Sequence, residues 1–424
     1  MKGLARRRFV ARLGASAAGL LVPPAVLGRA RPRVVVVGGG AGGATAARYV
    51  ADGSRGEIDV TLVDESDLYT SCFHSNLYLG GLRGLDTLTH SYARLVAEHG
   101  VRKVTGLAVG IDREAKAVDM ADGTAIGYDR LILSPGIDFV FDSLPGHSEA
   151  AAEIAPHAWR GRAQTVLLKR RLEALGDGAR VVIVAPPDPY RCPPGPYERA
   201  SLIARLFASK GLSNATVTII DPKSTFSKQA LFFEAWERHY PGVVEWLPPE
   251  IHGGVTRVDA AAGTVETDLD AFEAELVNVI PAQRAGAFAR AAGLADDSGF
   301  CPVDGESMRS VRDSNAFVIG DACIAGAMPK SAFAANAQAK VAAMHARADL
   351  LGTRLFPARY ANVCWSAVAA EEAVKVGATY AVEGGEIVSS ASFVSDPGEG
   401  ATVRSAAYAE SVDWYRAIVR DMFG

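Results

Sequence analysis

Five cysteines, Cys72, Cys192, Cys301, Cys323 and Cys364, give the chain its thiols. One of them opens the run Cys192-Pro193-Pro194-Gly195-Pro196-Tyr197-Glu198, which sets a carboxyl six residues beyond a sulfur. Two thiols brought together interconvert with a disulfide, and a neighbouring carboxyl can carry the proton. An odd count leaves at least one cysteine unpaired or modified. The strand-like segment Val181-Val182-Ile183-Val184 leads into Ala185-Pro186-Pro187-Asp188-Pro189-Tyr190-Arg191 and then this run, with no G-x-G turn. Proline has no backbone N–H, so the loop cannot cradle a pyrophosphate, and NAD(P) is not expected to dock there. An ordinary proline-rich loop with an incidental cysteine is the plain alternative.

A second site has the opposite character. Val34-Val35-Val36-Val37 reads as a buried strand and runs into Gly38-Gly39-Gly40-Ala41-Gly42-Gly43 at the small-residue start of a helix. In that fingerprint Gly38 permits the tight turn, Gly40 lets backbone approach a pyrophosphate, and Gly43 lets helix and strand pack closely. The next strand, Ile58 to Val63, ends in Asp64, placed to accept hydrogen bonds from ribose hydroxyls. Tyr128 to Gly136 is a further strand with Pro135 and Gly136 in its turn, and Asn315 to Asp321 is another, ending in Gly320-Asp321. After them an alanine-rich helix is expected to begin at Pro329 and Ser331 and to run to about Leu351. Residues 161–290 repeat a β-α-β rhythm, and the chain beyond Leu351 changes to shorter apolar stretches with a final helix. That helix carries a stripe of Val412, Tyr415, Ile418, Val419 and Met422, read as packing on its own domain or as a membrane-facing surface. The pattern predicts an α/β protein with two Rossmann-type domains and a small α+β C-terminal domain. The expected boundaries are 31–160 with 291–352 for the first, 161–290 for the second and 353–424 for the third.

The 424 residues carry a formal net charge of −4. Residues 1–30 hold six Lys/Arg and no Asp/Glu, so the remainder stands at −10. An acidic surface disfavours nucleic acid and suits a basic protein partner. Arg6-Arg7-Arg8-Phe9-Val10, the mildly apolar Ala11 to Leu27 and the small residues of Gly28-Arg29-Ala30 predict a twin-arginine signal peptide over residues 1–30. The expected location is therefore the periplasm. Its apolar stretch is too short for a convincing membrane span, and a basic tail or an uncleaved anchor is the alternative. No metal site is expected.

The order and spacing of the glycine loop, the 128–136 turn and Gly320-Asp321 resemble the FAD-linked disulfide oxidoreductase superfamily. More narrowly, Tyr190 to Glu198, Tyr69-Thr70-Ser71-Cys72-Phe73-His74-Ser75-Asn76 with Gly80-Gly81, Asn362-Val363-Cys364-Trp365-Ser366, and Asp413-Trp414-Tyr415 to Phe423-Gly424 resemble the flavoprotein subunit of flavocytochrome c sulfide dehydrogenase. The resemblance extends, more distantly, to sulfide:quinone oxidoreductases. It implies a glutathione-reductase-like fold, FAD held by Gly38, Gly40, Gly43, Asp64, Pro135, Gly136, Gly320 and Asp321, and a thioether from Cys72 to the flavin. Ser71 and His74 depart from the side chains expected around that cysteine, and His74 is read as a base or as a local hydrogen-bonding group. The helix after Pro329 would point at the flavin, with Lys330 adding charge or standing solvated at the surface. With Cys72 set aside, four cysteines permit three pairings that spacing cannot choose among. The resemblance implies Cys192 with Cys364 as a redox disulfide, attacked by sulfide or a persulfide, with Glu198 handling the proton or merely opening its helix. Cys301 and Cys323 then read as small buried residues. Electrons would leave to a c-type cytochrome subunit. A quinone reductase at the membrane surface and an accessory flavoprotein without sulfide turnover are the competing classes.

Overall fold

Runs of valine and isoleucine without polar alternation can be satisfied only when both faces of a strand are covered, which is the situation of a parallel sheet between helices. The computed structural model describes residues 30–424, and residues 32–424 form one compact unit. The expected signal peptide lies outside the described residues, apart from Ala30. Arg33–Val37 is the central strand of a five-stranded parallel sheet, flanked by Asp59–Asp64 and Arg130–Leu133. The outer strands are Arg102–Thr105 and Ala316–Val318. Val34 to Val36 and Leu131 to Leu133 are no more than 1 % exposed, so this sheet is core on both sides. Helix Ala41–Ser54 packs against the long helix Ala332–Leu351, whose alanines allow close approach. Ser331 caps that helix, accepting from the Ala334 N–H at 3.0 Å, as its residue type suggests.

A second parallel sheet has the order Val244–Leu247, Thr216–Ile220, Arg180–Val184, Leu276–Val279. Helix Gly195–Lys210 follows its strand Arg180–Val184 and carries Pro196 in its first turn, where a missing N–H costs nothing. At the carboxyl ends of these strands Asp221 is fully buried. Its carboxylate accepts from Tyr197 Oη at 2.5 Å and Trp246 Nε1 at 2.9 Å and pairs with Lys223 at 2.6 Å. Tyr197 stacks on Phe226 with ring centroids 3.6 Å apart. Packed aromatic side chains thus occupy the region where an open α/β sheet ordinarily receives a ligand.

The C-terminal segment is an antiparallel meander, Tyr360–Ala369, Glu372–Glu383 and Glu386–Val394, covered by helix Ala401–Phe423. Tyr415, Ile418 and Met422 of the expected stripe are buried against the protein, with Ser411 rather than Val412 completing the buried row.

Candidate active site

The strand–loop–helix at Gly38 to Gly43 forms one wall of a cavity of about 380 Å³. Gly38 has φ +97°, and a methyl group there would overlap the Ser134 carbonyl; one on Gly43 would overlap the carbonyl oxygen of Gly38. At Gly40, by contrast, a Cβ would meet only the Tyr69 ring at 3.6 Å, so backbone is open to the cavity. Helix Ala41–Ser54 has neither a side-chain cap nor an acidic residue in its first turn, leaving N–H groups for an anion. Asp64 accepts from the Gly39 and Ser66 N–H groups at 2.7 and 3.0 Å and lines the same cavity. Pro135, Gly136, Gly320 and Asp321 line it as well. Asp321 Oδ1 is buried with no hydrogen-bond partner, while Oδ2 lies 3.6 Å from Arg191. A buried carboxylate oxygen facing a glycine-walled cavity is a place for a ligand hydroxyl.

The sulfur residues meet in this cavity although they lie far apart in the chain. Cys72, Cys192 and Cys364 are part-exposed to it, Cys301 and Cys323 are buried elsewhere, and all five are unbridged. Cys192 has φ +61°, its N–H donating to the Lys330 carbonyl at 2.9 Å. Cys364 comes from the strand Tyr360–Ala369, where Asn362 Nδ2 lies 3.4 Å from its sulfur. Glu198 stands between these segments, Oε1 accepting from the Ala367 N–H at 2.9 Å and Oε2 from Asn76 Nδ2 at 2.8 Å. Burial raises Glu198 above the usual carboxylate range, opposed by those two hydrogen bonds and by Lys228 and Arg199. Both thiols are pushed up by burial as well.

Cys72 sits in a loop tied down from the C-terminal helix. Ser71 Oγ is 3.0 Å from Tyr415 Oη, which also contacts His90 Nε2 at 2.8 Å and donates to the Thr87 carbonyl. His74 stacks on the Tyr415 ring at 4.8 Å and takes a 2.7 Å hydrogen bond from Arg83. Burial and the Arg83 charge pull His74 down to about 3, which suits the neutral ring that accepts from Arg83 and stacks on Tyr415.

Lys330 is an expected site residue whose side chain is not among those lining the cavity. Its ammonium donates to the Asp321 and Cys323 carbonyls at 2.9 and 2.8 Å and covers the Phe300 ring at 3.8 Å, so its charge is held by protein groups. Gly43 is likewise withdrawn, serving helix–strand packing. Four residues that sequence reasoning passed over are in place instead. Asn76 orients Glu198; Arg199, 1 % exposed, binds Asn76, Asn278 and the carbonyls of His157 and Ala158; Arg191 reaches Asp321; and Lys228 donates to the Cys364 carbonyl at 3.1 Å and Ser366 Oγ at 2.7 Å. The i, i+2 spacing of Asn362 and Cys364 on one strand was a usable signal for the first of the sulfur's neighbours. Lys228 had none.

Comparison with known families agrees with this arrangement. The model for the central part of the sulfide dehydrogenase [flavocytochrome c] flavoprotein chain matches residues 165–281, and that for the flavin-binding part of flavocytochrome c sulphide dehydrogenase matches residues 357–423. The chain carries the domains of the flavocytochrome c sulfide dehydrogenase flavoprotein. A pyridine nucleotide-disulphide oxidoreductase model matches residues 32–184, which contain the glycine loop. Among solved structures, the sulfide:quinone oxidoreductase of Aquifex aeolicus is similar with TM-score 0.75 and 17% identity over 92% of this chain and 91% of that one. The NAD-dependent persulfide reductase of A. fulgidus gives 0.63 and 18%, over 89% and 77%. Putidaredoxin reductase in its covalent complex with putidaredoxin gives 0.65 and 19%, over 90% and 94%. At these identities the structures establish the fold alone, an α/β architecture with Rossmann-type sheets. The flavin-binding match and the cradle with its open Gly40 and unpaired Asp321 oxygen assign FAD to this flavoprotein oxidoreductase.

Proposed function

We propose that this chain is the flavoprotein subunit of a periplasmic sulfide dehydrogenase, exported by the twin-arginine route. It oxidises sulfide at a Cys192–Cys364 disulfide beside an FAD tethered through Cys72, and passes electrons to a c-type cytochrome subunit. The observation that carries this reading is the convergence of Cys192, Cys364 and a pinned Glu198 on the cavity that also holds the dinucleotide cradle. Hydrosulfide attacks one sulfur of the disulfide, forming a persulfide there and releasing the other sulfur as a thiolate. Glu198 takes the proton from the incoming sulfide, its carboxylate held in place by Asn76 and the Ala367 N–H. FAD, when bound, accepts the electron pair and returns it to an acceptor in single electrons. The chain supplies the FAD site through the backbone of Gly38 to Gly42, through Asp64 and through Asp321. The proline-rich turn and the aromatic packing around Asp221 argue against a nicotinamide donor or acceptor, which leaves a protein partner or a quinone.

Among the described residues no helix is long and apolar enough to cross a membrane. The acidic balance of the chain suits a basic redox protein, and this favours the cytochrome over the quinone. The deciding experiment gives the purified flavoprotein sulfide without oxygen and offers it either cytochrome c or decylubiquinone. Sulfide-dependent reduction of cytochrome c is expected. Reduction of decylubiquinone alone would transfer the assignment to a quinone reductase, and a flavin band unbleached by sulfide would leave only an accessory role.

A further inference from the structure

The two sulfurs of the proposed disulfide have different surroundings. Cys364 lies on an extended strand, so Asn362, Cys364 and Ser366 face the same side. Asn362 Nδ2 is 3.4 Å from the Cys364 sulfur, and Ser331 Oγ fixes the other end of that amide at 2.5 Å from Asn362 Oδ1. The Lys228 ammonium is bonded to Ser366 Oγ at 2.7 Å and to the Cys364 carbonyl at 3.1 Å, on the face where the sulfur stands. Lys228 itself is 8 % exposed.

At Cys192 the Arg191 and Arg199 charges act on the thiol, but among the described residues no hydrogen bond reaches its sulfur. The two residues after it are prolines without N–H groups, and the next N–H, of Gly195, is committed to the Cys192 carbonyl at 2.8 Å. Its anionic neighbour is the Glu198 carboxylate, which pushes the Cys192 thiol up beyond the effect of burial, opposed more weakly by Lys228. At Cys364 burial again raises the thiol, but Lys228 and the Asn362 hydrogen bond are the next largest influences and both hold it down. Burial draws Lys228 down to about 8, with Cys364, Glu198 and Cys192 resisting, so it is largely cationic at pH 7.

We propose that Lys228 sets the direction in which the disulfide opens: hydrosulfide attacks Cys192, which becomes the persulfide, and Cys364 leaves as the thiolate held beside the Lys228 ammonium. This rests on the sulfide-oxidation reading above. In the step a bond forms between the sulfide sulfur and Cys192 Sγ, the Cys192–Cys364 bond breaks, and its electron pair stays on Cys364. The hydrosulfide proton passes to Glu198. The better-stabilised thiolate is the better leaving group, so the attack that expels Cys364 is the faster one. Lys228 is a positioning residue here, acting on the charge of a neighbour. The titratable groups facing the two sulfurs are Lys228, Glu198, Cys72, Tyr190, Arg191 and Arg199 and, from the next strand, Tyr380.

The holoprotein is mixed anaerobically with less than one equivalent of sulfide, quenched with iodoacetamide, and its cysteine peptides are weighed by mass spectrometry. The sulfide-derived persulfide is expected on Cys192 and the carbamidomethyl group on Cys364. Persulfide on Cys364 overturns the proposal, whereas no persulfide on either cysteine together with an unbleached flavin overturns the sulfide reading beneath it. In fully reduced protein, Cys364 alkylation is then followed against pH. Lys228→Met is expected to move its midpoint up by about one pH unit and slow it about tenfold at pH 8, the loss produced by removing one nearby opposite charge. Lys228→Arg is expected to restore most of the rate. An unshifted Cys364 profile in folded Lys228→Met protein overturns the proposal, and the wild-type persulfide map decides it should that variant fail to fold.

Discussion

Replacing Glu198 by glutamine separates its proposed role in proton transfer from its part in holding the site together. The wild-type carboxylate accepts two hydrogen bonds, from the Ala367 N–H at 2.9 Å and from Asn76 Nδ2 at 2.8 Å. A glutamine offers one oxygen and one NH2, so whichever way the amide turns, a donor faces a donor. One buried N–H loses its partner, a structural penalty of about 1–3 kcal/mol. That penalty should appear as a lower denaturation midpoint with FAD retained. The catalytic effect is larger: loss of a positioned general base costs roughly 10²–10⁴ in rate. Measured by stopped flow as flavin reduction at saturating sulfide, the wild-type rate should fall on the acid side through the Glu198 ionisation, because the base must be ionised. Burial raises that ionisation, so the acid limb lies above the ordinary carboxylate range. The same raised pKa makes the Glu198 contribution to folding greatest when the group is protonated, below its unfolded pKa, and it is lost as pH rises through the folded value. Glu198→Gln should remove both the acid limb and this part of the stability profile. A variant that reduces its flavin within about threefold of the wild-type rate and keeps the acid limb would refute the assignment of Glu198 as the proton acceptor; threefold is about 0.7 kcal/mol of barrier.

Three further outcomes follow from the same geometry. Acid precipitation of the wild type should leave yellow flavin on the protein, and Cys72→Ala should release it to the supernatant; flavin freely extracted from the wild type would end the thioether proposal. Cys364→Ala should retain FAD but show no flavin reduction by sulfide, since no disulfide remains to be attacked, and near-normal reduction would rule out the relay. Gly43→Ala places a methyl group on the Gly38 carbonyl, so the loop cannot close; its flavin-to-protein absorbance ratio should fall at least about tenfold, and full occupancy would show that the loop tolerates what the packing forbids.

The elements that could be read from the chain are those whose signals are local. A parallel strand declares itself by an unbroken apolar run, and Gly38, Gly40 and Gly43 by the backbone freedom each position needs within six residues. The missing phosphate loop before Glu198 is equally direct, because proline lacks an N–H in any fold. The cap at Ser331 and the buried stripe on the last helix belong to the same class, with a register error of one residue at Val412. Lys330 misled for a physical reason: charge type was visible, but the direction of a long side chain was set by the Asp321 and Cys323 carbonyls and the Phe300 ring that packing brought to it.

By itself, then, the sequence determined where a glycine loop offers backbone to a dinucleotide, where a proline-rich run lacks the N–H groups to do so, and which residues carry sulfur. Only the tertiary structure decided that Cys192 and Cys364, 172 positions apart, share a cavity wall, and that the unremarkable Lys228 and Asn76 surround them. The difference has one cause. Backbone permissions and hydrophobic periods are encoded within a few residues, whereas the charge state of a thiol or a carboxyl is set by whatever distant side chains are buried against it.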